Sequence, residues 1–263
     1  MLAKCGEGPW EEAEKLQREV GRLILGVPAR TANEVVLGDL GWWELKTRRD
    51  KARLKLLKKL RGLEGEEYAR ILVNDKNCIW GQYTDRILDS LSVANNDIKL
   101  YDEKGWRRLV TQKMQQKEEM RWHNNMMHKS KLRTYRRFKK KLGLDPYLDF
   151  ESRGARCVMS RLRSGTNFLR VETGRYEDEK VEDRLCLWCN KVEDEEHFLI
   201  DCELYEDIRA NTWKKLNVTD TRNKTELLKR LLGSVKSDKN AQVAIVHHIM
   251  CSRKLRDRFV ALL

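Results

Sequence analysis

Four residues in the last third of the chain have the side chains and the spacing to hold a metal: Cys186, Cys189, His197 and Cys202, in the order C-x2-C-x7-H-x4-C. Three thiolates and one imidazole fill the four positions of tetrahedral zinc. The two-residue gap lets a tight knuckle aim both leading sulfurs at one ion, and His197 and Cys202 can reach back from the start of a helix. A site closed in this way has no place for an activated water, so the motif predicts structural Zn2+ that contributes folding energy and no Lewis-acid chemistry. The competing reading makes Cys186 and Cys202 small buried hydrophobes and His197 a satisfied polar residue. Ligand type, order and spacing together favour zinc.

Little else in the sequence points to chemistry. His123, His128, His247 and His248 have no Cys or carboxylate partner at ligand spacing, and Cys5, Cys78, Cys157 and Cys251 are dispersed and read as buried thiols. There is no phosphate-gripping glycine loop, no G-x-S-x-G elbow and no H-E-x-x-H helix, and carboxylate pairs such as Glu66-Glu67 and Glu195-Glu196 read as solvated helix positions. No catalytic residue and no small-molecule substrate are expected.

The elements that must position the metal ligands read as mainly α. Only 3 prolines and 36% charged residues in 263 argue for long charged helices, because an all-β chain of this length would show frequent turn clusters. Ala13, Leu16, Val20, Leu23 and Val27 recur at helical steps up to Pro28, which predicts a helix with that stripe packed against the core. Thr31 and Glu34 have capping-box spacing for a short helix ending at Gly38 or Gly41. An amphipathic basic helix comes next over Glu44 to Leu60, then short helices at Glu66 to Val73 and Tyr83 to Leu91, with closing helices at Thr225 to Leu232 and Ser237 to Leu263. A change of composition after Gly143 and Pro146 divides a helical, thumb- or linker-like bundle, 1–145, from a zinc-knuckle subdomain with C-terminal helices, 146–263.

The charge is lopsided. Lys and Arg number 54 against 41 Asp and Glu, a net +13, which favours a polyanionic partner. Residues 104–141 hold fourteen of the Lys and Arg against Glu118 and Glu119 alone. In that segment Arg107, Arg108, Arg121, Lys131, Arg133, Arg136, Arg137, Lys139 and Lys140 are candidate phosphate contacts, and Trp106, Trp122 and Tyr135 are candidate stacking platforms for bases. Arg161, Arg163 and Arg175, near the knuckle, join the phosphate set. Trp188 either covers the metal site or stacks on a base, whereas Trp10, Trp42, Trp43, Trp80 and Trp213 read as core. No run approaches the ~20 apolar residues of a membrane helix, and the N-terminus lacks an apolar signal core, so an intracellular protein, nuclear or cytoplasmic, is expected and no membrane partner.

Several stretches resemble one family together. Leu25-Gly-Val-Pro-Ala-Arg-Thr31, Val36-Leu-Gly-Asp-Leu-Gly-Trp42 and Lys131-Leu-Arg-Thr-Tyr-Arg-Arg-Phe-Lys139 are similar to the region after the polymerase core of LINE-type, non-LTR retrotransposon reverse transcriptases. So are Arg161-Leu-Arg-Ser-Gly165, Val171-Glu-Thr-Gly-Arg175, Glu182-Asp-Arg-Leu-Cys186 and Val192-Glu-Asp-Glu-Glu-His-Phe-Leu199, with Cys202, Tyr205 and Arg209. The likeness spans roughly residues 10–212. It implies a fragment that holds RNA template or target DNA beside a reverse transcriptase core, with Cys186, Cys189, His197 and Cys202 as its CCHC zinc ligands. The family's paired-aspartate polymerase motif and its endonuclease signature are absent, so binding without polymerase activity is expected. A docking module, or a relic of a retroelement, is the alternative.

Overall fold

The computed structural model describes residues 7–63, 68, 75 and 78–262. Among the described residues the protein is mainly α-helical and has no β-strand, only two isolated bridges, Leu40 with Leu144 and Leu185 with Val192. Of the helix expected over Glu66 to Val73 only Tyr68 is among the described residues, and Cys5 lies outside them. The chain divides into two compact units. The first comprises Met1–Arg18 and Trp43–Asn124, the second Glu19–Trp42 and Asn125–Leu263.

The first unit is built on α3 (Leu45–Arg61), α4 (Ile79–Ser90) and α6 (Glu103–Met127), with the single turn α5 (Asp97–Leu100) between the last two. Leu54 and Leu57 of α3 pack with Ile87 and Leu88 of α4 and with Trp106, Val110 and Met114 of α6. Trp106 Nε1 donates to the Leu54 carbonyl at 2.9 Å, which removes the only polar obligation of a buried indole. α3 has no side-chain cap of its own. Buried Glu118 serves instead, accepting from the Glu44 amide at 3.0 Å and the Thr47 hydroxyl at 2.7 Å, an anion at the positive end of the helix. These contacts run in opposite order along the two helices, so α3 and α6 are antiparallel.

Helix α1 (Glu7–Leu25) forms where the periodicity predicts but buries a different face. Leu16 and Leu23 are 61% and 73% exposed, with Val20 and Ile24 exposed as well, whereas Gly21 and Leu25 are buried. The reason is steric: a Cβ at Gly21 would lie 2.3 Å from Val36 Cγ1 on α2 (Asn33–Leu40), so the missing side chain on this side lets α2 approach closely. The capping box does not form either. Glu34 pairs with Lys129 at 2.7 Å and α2 begins without a side-chain cap, although it does end at Gly41 in the left-handed conformation.

In the second unit α8 (Arg153–Ser164) comes after the single turn α7 (Tyr135–Phe138), and its Arg163 occupies the middle of a buried polar cluster. Arg163 pairs with Asp39 at 2.8 Å and with Asp145 at 2.7 Å, and it donates to the Leu232 carbonyl and the Ser234 hydroxyl, both at 2.7 Å. The hydroxyls of Tyr135 and Tyr147 donate to Asp39 at 2.8 and 2.9 Å. Burial would raise the Asp39 carboxyl, but the Arg163 guanidinium outweighs it and holds Asp39 down at about 2. The segment 142–150, expected as a boundary, is interior to this unit: Asp145 is buried and the Tyr147 amide donates to the Gly233 carbonyl at 3.0 Å.

The remaining helices are α9 (Arg170–Thr173), α10 (Glu206–Lys215), α11 (Lys224–Leu231) and α12 (Lys239–Val260). Asn223 and Asp238 cap the last two, as helix starts require. On α12, His248 is buried, its Nε2 donating to the Leu199 carbonyl at 3.1 Å beneath the ring of Trp213. Burial pushes its pKa down to about 4, so the folded state keeps the imidazole neutral while the unfolded chain protonates near pH 6.5. Stability from this group is therefore full above about pH 6.5 and is lost as the pH falls through about 4, at most about 3 kcal/mol. Denaturant unfolding at several pH values checks it: His248→Gln should flatten the acid limb, and an unchanged limb refutes the assignment.

Candidate metal centre

The local sequence folds the four ligands together. Leu185 and Val192 bridge as an antiparallel pair, the Cys186 amide donates to the Lys191 carbonyl at 2.7 Å, and the Asn190 amide returns to the Cys186 carbonyl at 2.9 Å. Asn190 takes φ 54°, the left-handed corner of this knuckle, a conformation that Asn tolerates better than most residues. Asp194 then caps the next turn by accepting from the His197 amide at 2.8 Å.

His197 and Cys202 converge through an irregularity. Five residues along an α-helix is about 1.4 turns, which leaves the two side chains on different faces. Here His197–Asp201 is a π-helical turn, closed by the Cys202 amide donating to the His197 carbonyl at 2.8 Å, five residues back. The wider ring brings both side chains to the same side, and such turns concentrate at functional sites.

The resulting ligand atoms all lie within 4.8 Å of one another, with Sγ of Cys186 and Cys202 3.8 Å apart and Sγ of Cys189 3.3 Å from Nε2 of His197. Cys186, His197 and Cys202 are buried and Cys189 half-buried. This group can hold a metal ion. Its electrostatics favour one: the hydrogen bond from Cys202 pulls the Cys186 thiol down to about 3, while the same contact pushes Cys202 up and burial pushes Cys189 up. Crowded thiols ionise at one another's expense until a cation joins them. Around the site, the Phe198 ring meets Tyr205 edge-on at 5.1 Å and Arg209 donates to the Cys202 carbonyl at 2.9 Å.

The basic residues fare differently from the sequence expectation. Trp106, Trp122 and Tyr135, expected to stack on bases, are buried, and Arg163 and Lys139 are buried in the cluster with Asp39 and Asp145. The tryptophans expected in the core are only half-buried: Trp43 and Trp80 pack at its edge, and Arg49 lies over Trp10. Trp188 is 50% exposed and meets Phe259 edge-on at 5.2 Å. Cys78, Cys157 and Cys251 are half-buried rather than buried.

Most remaining candidate cations are paired. Arg107 bonds Glu103, Arg121 bonds Glu44 and Glu118, Lys131 and Arg175 share Glu172, Arg133 takes Glu195, and Arg137 takes Glu196. Arg136, Lys140 and Arg161 donate to carbonyls of Met127, Arg136 and Gly26, and Arg108 is exposed. Several of the neutralising acids come from far along the chain, where a local charge count does not see them.

The cations that the charge count passed over are on α3, which has nine Lys and Arg and a single acid, Asp50. Arg48, Lys55 and Lys59 lie along one stripe of the helix opposite Leu54 and Leu57, and among the described residues no carboxylate pairs with them. Burial and then neighbouring Lys55 hold the Lys51 ammonium, which lies over the Trp43 ring, below its ordinary value.

A scan of the chain against protein-family models finds no match, and comparisons with curated proteins and with solved structures find none. Among the described residues no helix is long and apolar enough to cross a membrane.

Proposed function

We propose that the chain is a zinc-stabilised nucleic-acid-binding module, the C-terminal part of a LINE-type retrotransposon reverse transcriptase, which holds RNA template or target DNA inside the cell and performs no polymerisation itself. Zinc is the metal the donor set fits. With Zn–S near 2.3 Å, two sulfurs on a tetrahedron stand about 3.8 Å apart, the separation of Cys186 and Cys202 Sγ. Soft thiolate ligands favour this ion over Mg2+ or Ca2+. When bound it supplies folding energy; the nucleic acid is held by this chain's own cations.

The observation that carries the reading is the single-sign face of α3. Like charges at helical spacing destabilise a helix, and a segment that works against its own local stability is where function is sought. The α3 stripe Arg48, Lys55 and Lys59 suits the phosphate backbone, read by charge and shape. Changing these three residues to Gln should weaken binding to labelled single-stranded RNA and duplex DNA and reduce the log–log salt slope by about 2–3, at 0.7–0.9 per lost contact. An unchanged slope sinks the reading.

A second reading has support from α1. Val20, Leu23 and Ile24 expose an apolar face of the kind that marks a docking surface, and a reverse transcriptase core is the partner the family resemblance implies. Binding to such a core that survives Leu23→Glu would exclude it.

A further inference from the structure

Buried Glu172, on α9, gathers more positive charge than it can neutralise. Its carboxylate lies 2.9 Å from Lys131 Nζ, 3.3 Å from Arg175 Nε and 4.0 Å from Arg30 Nε, so three cations converge on one anion. These residues come from separate parts of the second unit. Arg30 is in the loop between α1 and α2, Lys131 in the 3-10 turn Ser130–Leu132, and Arg175 in the 3-10 turn Gly174–Glu177. Close packing fixes the middle one: a Cβ at Gly165 would stand 2.4 Å from the Lys131 carbonyl oxygen, so glycine alone lets that turn approach α8.

The cations are not sealed in. Their side chains are 50%, 28% and 24% exposed for Arg30, Lys131 and Arg175, while that of Glu172 is 1% exposed. Beside them stands Tyr176, which donates its hydroxyl to Glu172 at 3.3 Å and carries the Arg30 guanidinium 5.1 Å from its ring centroid. Even so the residue is 60% exposed. A buried carboxylate paired with one cation is balanced; two further cations held at the same oxygens leave an uncompensated positive site that an external anion completes.

We propose that Arg30, Lys131, Arg175 and Tyr176 form a nucleotide-binding site that takes one phosphodiester of a single strand between the cations and one base against the tyrosine ring. Forked guanidiniums match phosphate oxygens two at a time, and an aromatic face beside them is how sequence-tolerant single-strand sites hold successive nucleotides. Glu172 is the positioning residue. It keeps the cations converged without cancelling them. The inference rests on the nucleic-acid reading but uses residues apart from the α3 stripe.

The test uses the zinc-loaded full chain and a fluorescent oligo(U), with a 5-iodouridine version for photocrosslinking. Tyr176→Ala should weaken oligo(U) binding about tenfold or more and Tyr176→Phe should leave it near the starting value. Arg30→Gln should reduce the salt slope by about 0.7, and the uridine adduct should map to Tyr176. All three variants should melt as the parent does, since Arg30 and Tyr176 are exposed. Parental oligo(U) binding by Tyr176→Ala and Arg30→Gln, while the Gln variant of Arg48, Lys55 and Lys59 still binds weakly, overturns this site and leaves the α3 reading standing. No binding of RNA or DNA by the parent chain overturns both. Competition by polyglutamate as effective as by unlabelled oligo(U) overturns the phosphate assignment.

Discussion

Stripping the metal with a chelator, or replacing Cys202 with Ser, is expected to unfold the segment from Arg184 to Tyr205 and to leave the helices of the first unit intact. The apparent binding free energy of a structural zinc is about 10–16 kcal/mol, comparable with the whole stability of a typical domain, about 5–15 kcal/mol. The backbone of the segment is held locally by a knuckle, one short bridge and a π turn. Arg256, Arg133 and Arg137 tie its Glu193, Glu195 and Glu196 to the rest of the second unit, but its buried residues Phe198, Leu199 and Tyr205 are kept in register by His197 and Cys202. Hydrogen exchange resolves the two units separately. Amides of residues 185–205 should lose protection on chelation and regain it with added zinc, whereas those of α3 and α6 should not change. Protection that persists at 185–205 without metal would make the four residues an ordinary packed cluster.

Replacing Arg163 with Met is expected to cost about 3–5 kcal/mol, the usual penalty for removing one partner from a buried ion pair. Asp39 and Asp145 would be left buried without their guanidinium, and the Leu232 carbonyl and Ser234 hydroxyl would lose a donor. In a body of this size each kcal/mol moves the melting temperature by roughly 2–4 °C, so the drop should be large. The experiment also separates two roles for the same residue. A phosphate contact would lose affinity and salt slope at unchanged stability; the buried cluster predicts lost stability and no such effect. A variant within about 1 kcal/mol of the parent would remove Arg163 from the centre of the cluster.

The grouping of Cys186, Cys189, His197 and Cys202 was legible in the sequence, because residue type and local spacing are one-dimensional properties. The sequence also carried the positions of most helices: Thr225 to Leu232 against Lys224–Leu231, and Glu44 to Leu60 against Leu45–Arg61. It did not carry the direction in which a helix faces. The stripe Leu16, Val20, Leu23 is more apolar than the side that is buried, but Gly21 admits the close approach of Val36 and decides the matter. Charge failed for a related reason. Lys131, Arg133, Arg137 and Lys139 read as an unopposed basic run only because Glu172, Glu195, Glu196 and Asp145 reach them through the fold. The tryptophans show the same limit: those among the Lys and Arg of α6, Trp106 and Trp122, are buried, whereas Trp10, Trp42, Trp43, Trp80 and Trp213, expected in the core, are half-buried.

The π turn at His197–Asp201 sets the angular phase of the chain beyond it. With one residue fewer between His197 and Cys202, an ordinary α turn would bring the two side chains together, so the fourth intervening residue is surplus to ligation. Each residue of an α-helix turns the chain by about 100°, and the wider π turn absorbs the surplus one, so that Cys202 keeps the angular position an α turn would give it. Arg209, reaching back to the Cys202 carbonyl, passes that phase on to α10. Deleting a single residue here would convert the π turn to an α turn and keep four residues able to converge, so coordination alone does not set the length of this loop.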